Sequence, residues 1–153
     1  MTIGLNIKIK NEYGNYLAKI FASIDLSIYM WKIITDDILR EENGELKQGL
    51  FETDLPNGNS FKNAISRESY YLIFADFKAY FCDVEYEPIQ TFEDFMESNC
   101  QIVFMCWDSS FVEIYCKDKK ILEKIYYNCK GFDCESISDI SAEQARGKTL
   151  IAF

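Results

Sequence analysis

The run Tyr70-Tyr71-Leu72-Ile73-Phe74-Ala75-Asp76-Phe77-Lys78-Ala79-Tyr80-Phe81 limits the folds open to this chain more than any other segment. It is the densest aromatic stretch, and its start is apolar at successive positions. A strand built from it has two faces to bury, which places it at the centre of a sheet. Two shorter runs follow the same logic. Cys100 to Trp107 and Ser110 to Cys116 read as strands joined tightly at Asp108-Ser109, an antiparallel hairpin. Residues 28–39 form a further strand, and Asn43-Gly44 is the dipeptide favoured in two-residue hairpins, so Leu46 to Phe51 is expected to pair back. Residues 2–9 alternate Ile3, Leu5, Ile7 and Ile9 with Thr2, Asn6 and Lys8, the pattern of a half-buried strand.

Helical signals fall between these runs. Asn11 offers an N-cap for a helix burying Tyr13, Tyr16, Leu17, Ile20, Phe21 and Ile24. Ser60 is placed to cap a short helix carrying Phe61, Ala64 and Ile65. Thr91 and Asp94 form a T-x-x-D start, and Asp118 opens an amphipathic helix with Ile121, Leu122, Ile125, Tyr126 and Cys129 on one side and Gly131 at its end. A short strand over 133–137, an S-x-x-Q box at Ser141 and Gln144, and a closing strand over 149–153 complete the chain. The order through residue 137 is β-α-β-β-α-β-α-β-β-α-β. Hairpins among crossovers predict an α+β fold: a mixed, largely antiparallel sheet with helices packed on it, as a single domain over residues 1–153.

Composition supports one core and narrows function. A chain of 153 residues that is 48% hydrophobic and 16% aromatic can bury roughly 70% of its unfolded surface without staples. Net charge is −9, from 25 acids against 16 bases. Such a surface repels phosphate backbones and anionic lipids, so neither nucleic acid nor membrane is expected as a partner. It is compatible with a basic protein partner, or serves solubility alone. No segment reaches the length of a membrane span, and the start lacks the pattern of a signal peptide, so a cytoplasmic location is expected. There a reducing environment would keep the six cysteines as thiols, and Cys129 and Cys134 form only a lone C-x4-C pair. No metal and no cofactor is expected.

The chain has no histidine. Ser-His-Asp and Cys-His arrangements and the histidine zinc motifs therefore cannot be built from it. The P-loop and dinucleotide fingerprints are also missing, and no catalytic residue is assigned. Asp76 interrupts an apolar strand: it is a buried acid with a raised pKa at a sheet edge or cleft, one half of an ion pair with Lys78 or an Arg, or simply exposed where the strand emerges. Asp36-Asp37 and the group Asp83, Glu85, Glu87 are candidate cation clusters, but none has the spacing of a calcium loop. Glu113 alternates with Phe111 and Tyr115, so the three line a ligand groove or support the hairpin surface. Trp31 and Trp107 are core residues or, if exposed, binding anchors. Cys116, beside Lys117 and before a helix start, is the best-placed thiol for redox chemistry, with Asp118 opposing.

Several stretches in order resemble a family of short proteins from Gram-positive bacteria, domain of unknown function 2691. They are Asn11-Glu12-Tyr13-Gly14, Tyr70 to Asp76 with Lys78-Ala79-Tyr80, Thr91-Phe92-Glu93-Asp94-Phe95, and Tyr115-Cys116-Lys117-Asp118. The resemblance spans nearly the whole chain and implies a bacterial or phage source, but it carries no activity and no functional residue. Three readings remain: an acidic interaction module of the immunity, antitoxin or inhibitor kind; a small-molecule-binding or sensor domain with an aromatic-lined pocket; and a carboxylate- or thiol-dependent enzyme centred on Asp76.

Overall fold

In the computed structural model, which describes residues 1–10, 12–132 and 134–152, the aromatic run becomes β4 (Tyr70–Phe81). It lies inside a seven-stranded sheet with β2 (Tyr29–Glu42) on one side and β5 (Cys100–Trp107) on the other. The remaining strands are β1 (Thr2–Lys8), β3 (Glu45–Gln48), β6 (Phe111–Cys116) and β7 (Ser136–Ser141). Their order is β3-β2-β4-β5-β6-β1-β7. All named strand pairs run antiparallel among the described residues. The first strand is thus held between β6 and β7, the last two.

Both hairpins form where the sequence places them. Asn43 and Gly44 take positive φ between β2 and β3. Asp108 and Ser109 do the same between β5 and β6. Residues of this kind accept the left-handed region, and the primed turns it builds match strand twist.

Helices cover both faces. On one, α1 (Tyr16–Ile20), α2 (Gly58–Ile65) and α4 (Lys119–Gly131) place Leu17, Ile20, Phe61, Ile65, Leu122, Ile125 and Cys129 against Leu5, Trp31, Phe77, Phe104 and Ile114. On the other, α3 (Phe92–Glu97), α5 (Ala142–Ala145) and the C-terminal segment place Phe92, Phe95, Ala145 and Leu150 against Ile3, Tyr80, Val103, Met105 and Tyr115. Capping follows local chemistry. Thr91 and Asp94, like Ser141 and Gln144, satisfy each other's backbone amides in full capping boxes, and Asp118 accepts from the amides of Lys120 and Ile121.

Six expectations need correction, the last of them in the C-terminal segment. The first helix starts at Tyr16, because Gly14 exchanges two backbone bonds with Tyr70 and is held in a bridge to β4. The proposed cap Asn11 lies outside the described residues. The cap of α2 is Asn57, which accepts from the Ser60 amide, so Ser60 lies inside the helix. The paired part of the third strand ends at Gln48, since the amides of Leu50 and Phe51 turn to the Asp36 carboxylate. Helix α4 continues through Gly131 to a cap at Phe132. The strand expected at 133–137 is β7, shifted to Ser136–Ser141.

The C-terminal segment is not a closing strand of the sheet. Thr149 bridges Thr91, and the Leu150 amide donates to the Gln90 carbonyl, so the chain crosses the second face as a strap. Residue 153 is outside the described residues.

Candidate functional site

Strand alternation brings five of the sequence candidates, Asp76, Glu113, Tyr115, Trp107 and Phe111, to the second face. Asp76 and Lys78, two apart on β4, point the same way. Across the ladder Asp76 stands opposite Met105, which stands opposite Glu113. Lys78 stands opposite Val103, and Val103 opposite Tyr115. Two parallel rungs therefore cross three strands: Asp76–Met105–Glu113 and Lys78–Val103–Tyr115. Trp107 ends β5 on the same face, opposite Phe111.

Asp76 and Lys78 are both fully buried and form an ion pair. Lys78 Nζ also donates to the Leu150 carbonyl at 2.5 Å, and the Ala152 amide donates to Asp76 Oδ2 at 3.2 Å. Burial pushes the Asp76 carboxyl above its ordinary range and the Lys78 ammonium below its own, while each charge opposes the shift of the other. The C-terminal strap completes the pair and seals it. Asp76 is thus the ion-pair partner of Lys78 rather than an acid open to a cleft.

At their β6 end the two rungs open toward solvent at Glu113. Tyr115 is buried and its hydroxyl donates to Glu113 Oε1 at 2.6 Å. Removal from water, with Glu113 beside it, pushes the Tyr115 phenol upward. Lys148 Nζ stands 3.6 Å from the same carboxylate oxygen. Tyr115 owes its position to Gly4 on β1. A Cβ there would lie 2.6 Å from the Ile114 carbonyl oxygen and 2.9 Å from Tyr115 Cδ1, so only glycine lets the ring lie over that strand. Met105, Trp107, Glu113, Lys148, Ile151 and Ala152 line a cavity of about 270 Å³ under the strap. Phe111 is 43% exposed and stacks beside Trp107 at 6.3 Å, with Lys8 over its ring.

Trp31 does not join this group. It is fully buried on the opposite face, stacked on Phe61 with centroids 3.9 Å apart. The β2 ladder shifts register between Ile33 and Thr35 and again between Asp37 and Ile38, so alternation along it could not relate its faces to those of β4. Met105, Lys148 and the strap were not singled out by sequence. The available signal was Asp76 with Lys78 on one face of an otherwise apolar strand, which demands further polar partners.

The cysteines and acid clusters resolve differently. All six cysteines are free thiols. Cys116 is buried and pushed up to about 12 by desolvation, the opposite of an activated thiol. Asp36 is occupied by the Leu50 and Phe51 amides, and Asp37 accepts from Gln48. Among the described residues no group of three or more Cys, Asp or Glu is placed to hold a metal ion. No helix among them is long and apolar enough to cross a membrane.

One acidic region has a sharp boundary. Residues 79–116 contain eight acids and no lysine or arginine. Asp83, Glu85 and Glu87, in the loop after β4, and Glu93, Asp94 and Glu97, on α3, are all exposed. Asn99 ties the two parts together by donating to Glu87. Lys117, bonded to the Ser98 carbonyl, borders the region, as does Lys32, which lies over the Tyr86 ring.

Comparison with known proteins places this architecture. A Bacillus subtilis (strain 168) protein, uncharacterized protein YncE, is 34% identical over 145 residues, covering 94% of each chain. No solved structure matches. The family model described as protein of unknown function (DUF2691) matches residues 2–151, and the chain belongs to that family.

Proposed function

We propose that the protein is a non-catalytic interaction domain that takes a basic partner protein on the acidic face built from the loop after β4 and from α3, in the manner of an immunity factor, antitoxin or inhibitor. The supporting observation is the placement of charge. The protein's buried acid is neutralised internally by Lys78, whereas six acids of the 83–97 stretch are exposed together. A concentrated anionic surface accelerates encounter with a cationic partner and selects against anionic ones.

The test compares the parent protein with D83K/E85K/E97K, three exposed positions whose change leaves the core intact. Each is immobilised and exposed to source-cell lysate at low salt. One basic protein is expected on the parent alone, released as salt rises toward about 0.5 M, where the screening length falls well below 10 Å. Recovery of no specific partner, or equal retention by the variant, counts against this function.

A second reading, a small-molecule-binding or sensor domain with an aromatic-lined pocket, is favoured by one observation: the cavity beside Trp107 has both an acid and a base at its wall.

A further inference from the structure

We infer that the open cleft lined by β5, β6 and the C-terminal strap is a site for a small zwitterion of the α-amino-acid class with an apolar side chain, its ammonium on Glu113 and its carboxylate on Lys148. This rests on the second functional reading and specifies the ligand class.

Size limits the ligand first. About 270 Å³ falls below the roughly 300–1,000 Å³ that holds drug-sized molecules. The cleft is open to solvent, and a free amino acid is of a size to occupy it.

Charge limits it next. Glu113 is held from behind by the Tyr115 hydroxyl at 2.6 Å, so its carboxylate is oriented before any ligand arrives. Its side chain is 12% exposed, whereas that of Lys148 is 39% exposed. Their separation of 3.6 Å exceeds a good charge-assisted hydrogen bond of about 2.8 Å. The pair is loose on the lysine side. A ligand with one charge would compete with this pair and leave one partner unneutralised. A ligand carrying both charges on one carbon inserts between them and replaces one long contact by two short ones.

Apart from Thr149, the remaining lining is apolar. Met105 is buried, Trp107 is half-buried, and Ile151 and Ala152 form the strap side. These suit an aliphatic or aromatic side chain. The wall is also fixed: the Phe92 amide donates to the Lys148 carbonyl, the Leu150 amide to Gln90, and the Ala152 amide to Asp76. A site preorganised in this way loses little ordering entropy on binding.

L-leucine and L-phenylalanine are titrated against the isotopically labelled protein, with N-acetyl-L-leucine and L-leucinamide as blocked controls. Saturable shifts are expected at the Trp107 indole and at the Thr149 and Ile151 amides, with Kd on the order of 0.1–1 mM. Each blocked form should bind at least tenfold more weakly. Glu113→Gln, which keeps an acceptor for Tyr115, and Lys148→Met should each weaken leucine at least tenfold at unchanged melting temperature. D83K/E85K/E97K should bind as the parent does. The inference is overturned if no free amino acid gives saturable shifts at about 20 mM, if blocked forms bind equally, or if both variants bind normally. Binding of leucinamide alone would reject the zwitterion and leave the pocket reading standing. Silence from every compound would reject both.

Discussion

On one face of the sheet Trp31, Phe61, Phe77 and Phe104 pack ring against ring. On the other, one residue to either side of Phe77, Asp76 and Lys78 meet in a sealed ion pair. The first face is covered by α2 and α4, of 8 and 13 residues, which bring long apolar stripes. The second is covered by α3 and α5, of 6 and 4 residues, and by a strap with no regular structure of its own. Short pieces bring little apolar area, and directional bonds hold them instead: Lys78 to the Leu150 carbonyl, Asp76 to the Ala152 amide, Glu93 to the Gly147 amide. Burial of area tolerates small errors of placement, whereas a buried charge network does not.

Breaking the pair tests this difference most severely. Lys78→Met removes the cation and leaves the Asp76 carboxylate buried, with an expected loss of about 3–5 kcal/mol in urea unfolding. Asp76→Leu combined with Lys78→Met should recover most of that loss, because no charge is then left unpaired. A double variant as unstable as the single one would mean that the strap needs the ionic bonds themselves.

Alkaline pH probes both faces at once. Burial pushes Cys106, Cys116 and Cys129 on the first face, and Cys100 on the second, up to about 12. It also raises Tyr29, Tyr70, Tyr80 and Tyr115. These groups keep their protons when folded and lose them from about pH 9 when unfolded. Their contribution is therefore intact below pH 9 and is lost as pH rises toward 12. Each fully titrating group steepens the fall by about 1.4 kcal/mol per pH unit. Lys78 and Lys117, whose pKa values are lowered, act in the opposite sense. Urea midpoints at pH 8, 9, 10 and 11 should decline, and Cys106→Ala should reduce the slope. A flat profile would show that the thiols are reached by water.

The mildest test concerns the one polar atom of the aromatic cluster. Trp31 Nε1 is buried and has no hydrogen-bond partner among the described residues. Trp31→Phe removes that unpaired donor while losing ring area, so the two effects offset and the expected change is under about 1.5 kcal/mol. A larger loss in thermal unfolding would show that stacking on Phe61 dominates this face.

The parts of the fold that could be read from sequence were those fixed by neighbours in the chain. The limits of β4, the boxes at Thr91 and Ser141, the Asp118 cap and both hairpin turns depend on residues within a few positions. What escaped was decided at long range. The first helix is shortened by Gly14 bonding to Tyr70, 56 positions away. Residues 149–153 read as a closing strand, yet Leu150 answers to Gln90 and Lys78. The same divide runs through the site. Alternation grouped Glu113 with Tyr115, and the hairpin register sets Met105 opposite Glu113, but the arrival of Lys148 depended on a chain crossing that no local pattern encodes.

The position of β1 has a consequence in time. Ile3, Leu5 and Ile7 are made well before both partners of their strand, β6 and β7, which end at Cys116 and Ser141. During synthesis that strand leaves the ribosome with two bare edges and waits for more than a hundred residues before either is met. Such distant pairing is slow to nucleate, which makes this apolar strand the natural place for a chaperone to hold the growing chain.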